Sequence, residues 1–203
     1  MTDTESTTKS ALLDAATAIF AEKGYPGASV REITAAARAN LAAITYHFGS
    51  KAALFEAVMV RALSGLIQLI EGATTGPGSA LDRIERIFSL HFTFLADHPH
   101  FRRLAGQVML SEARIPDRVG AYLRRMVGTL MRLVVEGQKD GSIRPGDPRV
   151  LTVALMAPSI VVNMLRVPMK VGPGLDLDDP VTRESVRQEL LTYLRAALSA
   201  REA

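Results

Sequence analysis

Tyr46, His47, Ser50 and Lys51 fall within residues 46–51, and Ser29, Val30 and Arg31 open a polar segment upstream of them. Side chains of these types donate and accept hydrogen bonds, pair with phosphates and reach base edges. Bond-breaking chemistry needs other arrangements, and the sequence lacks them. No G-x-S-x-G elbow, phosphate-binding Walker loop or H-E-x-x-H pair occurs. With Cys 0, thiol nucleophiles, cysteine-held zinc or iron–sulfur groups and a disulfide scaffold are excluded. His91 and His98 have neither a histidine one helical turn away nor a carboxylate cluster, so no metal and no cofactor are expected. The chemistry on offer is recognition of a charged polymer.

Such recognition requires elements that present the side chains. Leu12, Ala16, Ile19 and Phe20 recur at helical spacing and define a first helix, which Gly24 can end by taking a left-handed conformation just past Lys23. Ser29 and Glu32 form an S-x-x-E capping box that starts a short helix with inner residues Val30, Ile33 and Ala37. A second short helix, about Leu41 to Phe48, follows a tight turn, and Gly49 stops it. Ser50 caps a longer fourth helix with Leu54, Val58 and Leu66 inside. Two short helices about a tight turn, with the motif at about 29–48, form a helix-turn-helix, whose second helix fits the DNA major groove. On a helical wheel Ile44 and Phe48 point inward while Ala42, Ala43, Thr45 and Tyr46 point out. That outer face is small enough to approach base edges closely.

The charge supports this locally. Between Lys23 and Lys51 stand Lys23, Arg31, Arg38 and Lys51, against Glu32 alone. The whole chain carries only +3 at a pI near 9.4, so the basic character is a patch. Arg31, His47 and Lys51 suit phosphate contacts, and helix N-termini at Val30, Leu41 and Lys51 add backbone donors.

The segment resembles the DNA-binding domain of the TetR/AcrR family of transcriptional regulators. The resemblance rests on Ser29-Val30-Arg31-Glu32-Ile33, on Ala37-Arg38-Ala39 at the turn, and on Tyr46-His47-Phe48-Gly49-Ser50-Lys51. The run N-L-A-A-I-T-Y-H-F-G-S-K, from Asn40 to Lys51, is similar to the subset with N-x-A-A at the start of the recognition helix. The likeness covers about Lys9 to Ala62. It implies DNA contacts from Ser29 and Asn40 besides the residues already named. It also implies an all-α fold of about nine helices, a DNA-binding domain at 1–50, and a helical ligand-binding and dimerisation domain at 51–203. The expected partners are a double-stranded, palindromic operator, a second copy of the chain and a small-molecule effector. Three departures stand out: Arg38 replaces the usual turn glycine, Thr45 stands where an aromatic is common, and Ala52 and Ala53 stand where an acid usually follows the Ser-Lys pair. An arginine at the turn either avoids the left-handed region or is strained there.

Beyond Glu71 the sequence GATTGPGS breaks the fourth helix. Ser79, Pro99, Pro116, Asp147 with Pro148, and Asp179 with Pro180 then mark five further helix starts, and VPMKVGPGLDLDD reads as a loop. Candidate ligand residues in this part are Phe88, His91, Phe92, Phe101, Gln107, Met126, Met131, Met156, Asn163 and Arg166, which combine an aromatic and flexible apolar interior with a few polar groups able to orient a ligand. The stretch Val150 to Leu165 is too apolar all round for a one-sided surface helix, and Leu190, Leu191 and Leu194 offer a partner stripe, so dimerisation through about 148–167 and 180–200 is expected. Pro158, Thr152, Ser159 and Asn163 interrupt that stretch short of the roughly 20 apolar residues of a membrane span. With no basic, apolar export signal at the start, a cytoplasmic protein without a membrane partner is expected. Two other readings are open: a helix-turn-helix factor that stays bound without regulation, and an enzyme on a helical bundle.

Overall fold

A computed structural model describes residues 3–109 and 115–200, with side chains from Ser6 onward. The described residues form ten α-helices and an isolated antiparallel bridge between Ile143 and Ser199. The helices are α1 (Asp3–Gly27), α2 (Val30–Ala36), α3 (Ala42–Phe48), α4 (Lys51–Ala73), α5 (Ala80–Asp97), α6 (Pro99–Met109), α7 (Asp117–Asp140), α8 (Pro148–Met164), α9 (Arg166–Val171) and α10 (Pro180–Leu198). The fold is all-α, with the helix-turn-helix at its N-terminal end.

The chain divides into two compact units. The first comprises residues 1–64 and 98–122, the second 65–97 and 123–203. The division falls within α4, and the segment containing α6 belongs to the first unit.

In the first unit, Leu12, Ala16 and Phe20 of α1 are fully buried with Ile33 of α2, Ile44 of α3, Leu54 of α4 and Leu104 of α6. Removing this apolar surface from water provides the main stabilisation. Gly24 has φ 73° and ψ 168°, so regular helix ends just past Lys23 as expected, but the extended ψ takes the glycine outside the left-handed helical region. Ser50 accepts a hydrogen bond from the Ala53 amide at 3.1 Å and caps α4 without a reciprocal acid. The inner face of α2 differs from expectation. Thr34 is buried beside Ile33, whereas Val30 and Ala37 are only half-buried. Its hydroxyl donates to the Val30 carbonyl, one turn back, which makes burial of that polar side chain tolerable.

In the second unit, α5 packs against α8 and α10. Its helix starts follow the sequence signals. Ser79 and Asp82 bond reciprocally at the start of α5, Asp147 caps α8 through the Arg149 amide, and Asp179 caps α10 through the Thr182 amide. The loop reading of VPMKVGPGLDLDD fails over its first residues. After α8 breaks at Leu165, Arg166–Val171 forms another helix. Pro168 falls in its first turn, where a missing N–H removes no helical bond, so proline does not prevent the helix.

Sequence reading also underrated α4. This 23-residue helix is long and apolar enough to cross a membrane by length and composition. Its apolar side chains instead enter the cores, Leu54, Val58 and Leu63 in the first unit and Leu66, Ile67 and Ile70 in the second.

Candidate DNA-contact surface and interior site

The turn between α2 and α3 carries the main departure from the expected pattern, and it is strongly left-handed. Arg38 has φ 51°, the one positive φ outside glycine among the described residues. Ala39 N–H bonds to the Thr34 carbonyl at 2.9 Å, and Arg38 N–H to the Ala35 carbonyl at 3.1 Å. This pair of bonds is a Schellman motif with Arg38 at the position glycine favours, so the geometry of the turn is kept and the arginine absorbs the strain.

Asn40 follows the turn and organises the start of α3. Its Oδ1 accepts the Ala42 amide at 3.0 Å, and its carbonyl accepts the Ala43 amide at 2.9 Å. Asn40 is therefore the functional cap of α3, a role sequence reading did not give it. The following helix presents the expected faces. Ile44 is buried and Phe48 half-buried, while Leu41, Ala42, Thr45 and Tyr46 are exposed and Ala43 is half-buried. Tyr46 is 73% exposed, and its ring meets that of His47 edge-on at 4.9 Å.

The cations divide into paired and outward-facing sets. Lys23 Nζ lies 2.6 Å from Glu32, which also closes the capping box with the Ser29 amide and hydroxyl. The Lys23 bond, reinforced by Ser29, holds the Glu32 carboxyl at about 2, far below its ordinary range. Lys23 and Glu32 therefore neutralise one another, and the Ser29 hydroxyl is committed to the cap. Arg31 and Arg38 are exposed. Lys51 is half-buried with its ammonium 4.6 Å from the ring centroid of Tyr25, which in turn packs on Phe20 and Phe55. Val30, half-buried, opens α2 beside Arg31.

The interior of the second unit contains a cavity of about 10 Å³ lined by Ile70, Ile87, Phe88, His91, Leu130, Leu155 and Met156. Three of the candidate ligand residues, Phe88, His91 and Met156, thus share one enclosure. His91 is 7% exposed and its Nδ1 lies 2.9 Å from Ser159 Oγ. Burial pushes its imidazole down to about 4, so the ring is neutral at physiological pH. One turn further along α8, Asn163 Nδ2 donates to the Ser159 carbonyl at 3.0 Å, while its buried Oδ1 has no partner among the described residues.

The other candidates lie elsewhere. Phe92 and Met126 are buried and Met131 is half-buried, outside the cavity lining. Arg166 pairs with Asp178 and donates to the Leu177 carbonyl, while its buried Nε and Nη2 have no partners among the described residues. Phe101 and Gln107 belong to the first unit, where Phe101 is core and Gln107 is exposed near Gly24. Sequence reading missed Ser159 as the partner of His91, because its pairing spans two helices far apart in the chain. It also missed Ile70, Ile87, Leu130 and Leu155, whose apolar character gives no local signal distinguishing a cavity wall from ordinary core.

The wider helix faces carry one correction. Leu194 is buried in its own unit, and Leu190 and Leu191 are half-buried, so they form no open stripe. The exposed large apolar residues on α8 and α10 are Val150, Val153, Val161, Val181 and Tyr193.

Comparison with known proteins agrees with this geometry. Residues 12–58 match the family described as "Bacterial regulatory proteins, tetR family". The HTH-type transcriptional repressor DhaR of Mycobacterium sp. (strain GP1) is 26% identical over 195 residues, covering 94% of this chain and 92% of DhaR. The transcriptional regulator FadR of Bacillus subtilis, solved in complex with stearoyl-CoA, has 18% identity and a TM-score of 0.79, covering 93% of this chain and 98% of FadR. AibR, solved with isovaleryl coenzyme A and operator DNA, has 18% identity and a TM-score of 0.74, covering 92% of this chain and 97% of AibR. Residues 12–58 thus match the tetR-family helix-turn-helix segment, and the chain as a whole shares the fold of solved transcriptional regulators.

Proposed function

We propose that the chain is a dimeric, cytoplasmic repressor that binds a palindromic operator and leaves it when a small, largely apolar effector occupies the second unit. The observation that carries the DNA reading is the outer face of α3: exposed Ala42 and Thr45, half-buried Ala43 and the 73% exposed Tyr46, on a short helix held by the Asn40 cap and the Arg38 turn. Ala42, Ala43, Thr45 and Tyr46 approach base edges. Arg31, His47 and Lys51 contact phosphates, with backbone donors at Val30, Leu41 and Lys51, and these contacts set register without reading sequence. Asn40 contributes through Nδ2, since Oδ1 caps the helix, and Ser29 acts mainly by fixing the start of α2.

In this reading residues 1–50 form the DNA-binding domain and 51–203 the ligand-binding and dimerisation domain. Segments 148–167 and 180–200 of two chains pair, using the exposed valines of α8 and α10 with Tyr193. Two recognition helices then sit about 34–36 Å apart, one DNA turn. An effector that binds the conformation unable to span that distance more tightly, by a few kcal/mol, lowers operator occupancy by orders of magnitude. DhaR is named a repressor and FadR and AibR were solved with acyl-CoA ligands, which supports a repressor answering to a small molecule. Selection of bound duplexes from random DNA, followed by gel shifts with candidate apolar compounds, tests both halves. Retention of one inverted repeat and its release by a compound is expected. Indifference to sequence overturns the operator reading, and binding that no compound affects overturns the regulatory one.

A further inference from the structure

The cavity in the second unit holds one polar ring among apolar walls, and its hydrogen bonding determines what the ring can offer. Ser159 is 0% exposed, and among the described residues its hydroxyl has no bond besides the one to His91 Nδ1. A buried hydroxyl proton without an acceptor is costly, so Ser159 donates to Nδ1. The neutral ring must then carry its own proton on Nε2. Among the described residues no protein acceptor meets that Nε2–H, and His91 lines the cavity.

Resting on the reading of this unit as effector-binding, we propose that His91 Nε2–H is the polar anchor of the effector site, and that the effector is an apolar molecule bearing an uncharged carbonyl oxygen, as in a ketone, ester or thioester. A carboxylate is disfavoured, because the lining has no cation and an unpaired buried anion loses its hydration. An alkylammonium has only donors to set against Nε2–H, and its charge would be buried unpaired. An alkane leaves Nε2–H unanswered. The present space of about 10 Å³ accepts at most a water, so a larger guest enters only as the walls shift. Met156, unbranched and half-buried, is the lining side chain best able to do so.

The test uses the full chain with methyl hexyl ketone, octanoate and octane as probes, read by calorimetry and by proton–nitrogen correlation spectra of the His91 ring. The expected result is an Nε2–H tautomer that shifts on adding the ketone, and ketone binding at least about tenfold tighter than octanoate. His91→Phe loses that preference and His91→Gln, which keeps a donor, retains part of it. Octanoate binding as tightly as the ketone, an Nδ1–H tautomer, or no ketone binding up to its solubility overturns the assignment. So does unchanged ketone affinity in a folded His91→Phe protein. Operator binding is measured separately by gel shift. Ketone binding at His91 in a chain that holds no operator would support this assignment and contradict the regulator reading.

Discussion

Lys51 stands at the first position of α4 with its ammonium 4.6 Å from the ring centroid of Tyr25. A cation at a helix N-terminus meets the positive end of the macrodipole, and the face of the aromatic ring offsets that repulsion. The ring also limits where the ammonium can point. Lys51→Ala is expected to weaken binding to all duplexes and to reduce the salt dependence of log K by about 0.9. Tyr25→Leu should produce a smaller loss with little change in that slope. Binding titrations over a range of salt concentrations check both. An unchanged slope in Lys51→Ala would remove it from the phosphate contacts.

Arg38 keeps a glycine-type conformation at φ 51°. Arg38→Gly relieves the crowding of Cβ in the left-handed region and is expected to stabilise the protein by about 1 kcal/mol, read by urea or thermal unfolding. It also removes an exposed cation beside α3, so operator affinity should fall slightly while stability rises. A loss of stability would show that the arginine side chain makes contacts that outweigh the strain.

His91 gives the protein an acid sensitivity of definite sign. Its imidazole falls from an ordinary value of 6.5 to about 4 on burial, so the unfolded chain binds its proton more readily. The stabilisation is complete above pH 6.5 and is lost as pH falls toward 4, by up to about 3 kcal/mol. Unfolding midpoints recorded across that window should decline, and His91→Gln should flatten the decline. The Glu32 carboxyl, held at about 2, acts lower, between its ordinary 4.5 and about 2. A His91→Gln protein with an unaltered pH profile would contradict burial of a neutral ring.

Val153 on α8 is 66% exposed and Tyr193 on α10 62%. If these faces pair between two chains, Val153→Glu buries an unpaired carboxylate at the interface. Sedimentation should then show dimer giving way to monomer, with operator affinity falling at least about tenfold as the second head is lost. Dimer persisting unchanged in the variant would move the interface elsewhere.

The sequence was most legible where a local rule has one structural solution. Ser29 with Glu32, Ser50, Asp147 with Pro148, and Asp179 with Pro180 each announce a helix start, and each caps one. The periodicity of Leu12, Ala16, Ile19 and Phe20 likewise locates the core of the first unit, although Ile19 is only half-buried. Legibility failed where the outcome depends on residues distant in sequence. Nothing near His91 indicates that Ser159 will meet it, and nothing near Phe101 indicates that it joins the first unit. Proline and glycine after Leu165 look like loop punctuation, yet Pro168 falls where a helix tolerates it. Lys23 reads as part of a basic patch, whereas its charge is engaged by Glu32.

In the proposed reading α3 meets base edges through its exposed face, and Tyr46→Ala removes the most exposed large side chain of that face. The variant should lose about 1–3 kcal/mol of affinity for a selected operator duplex while its affinity for random duplex stays unchanged. Equal affinity of the wild-type and variant chains for the operator, measured side by side at fixed salt, would contradict the claim.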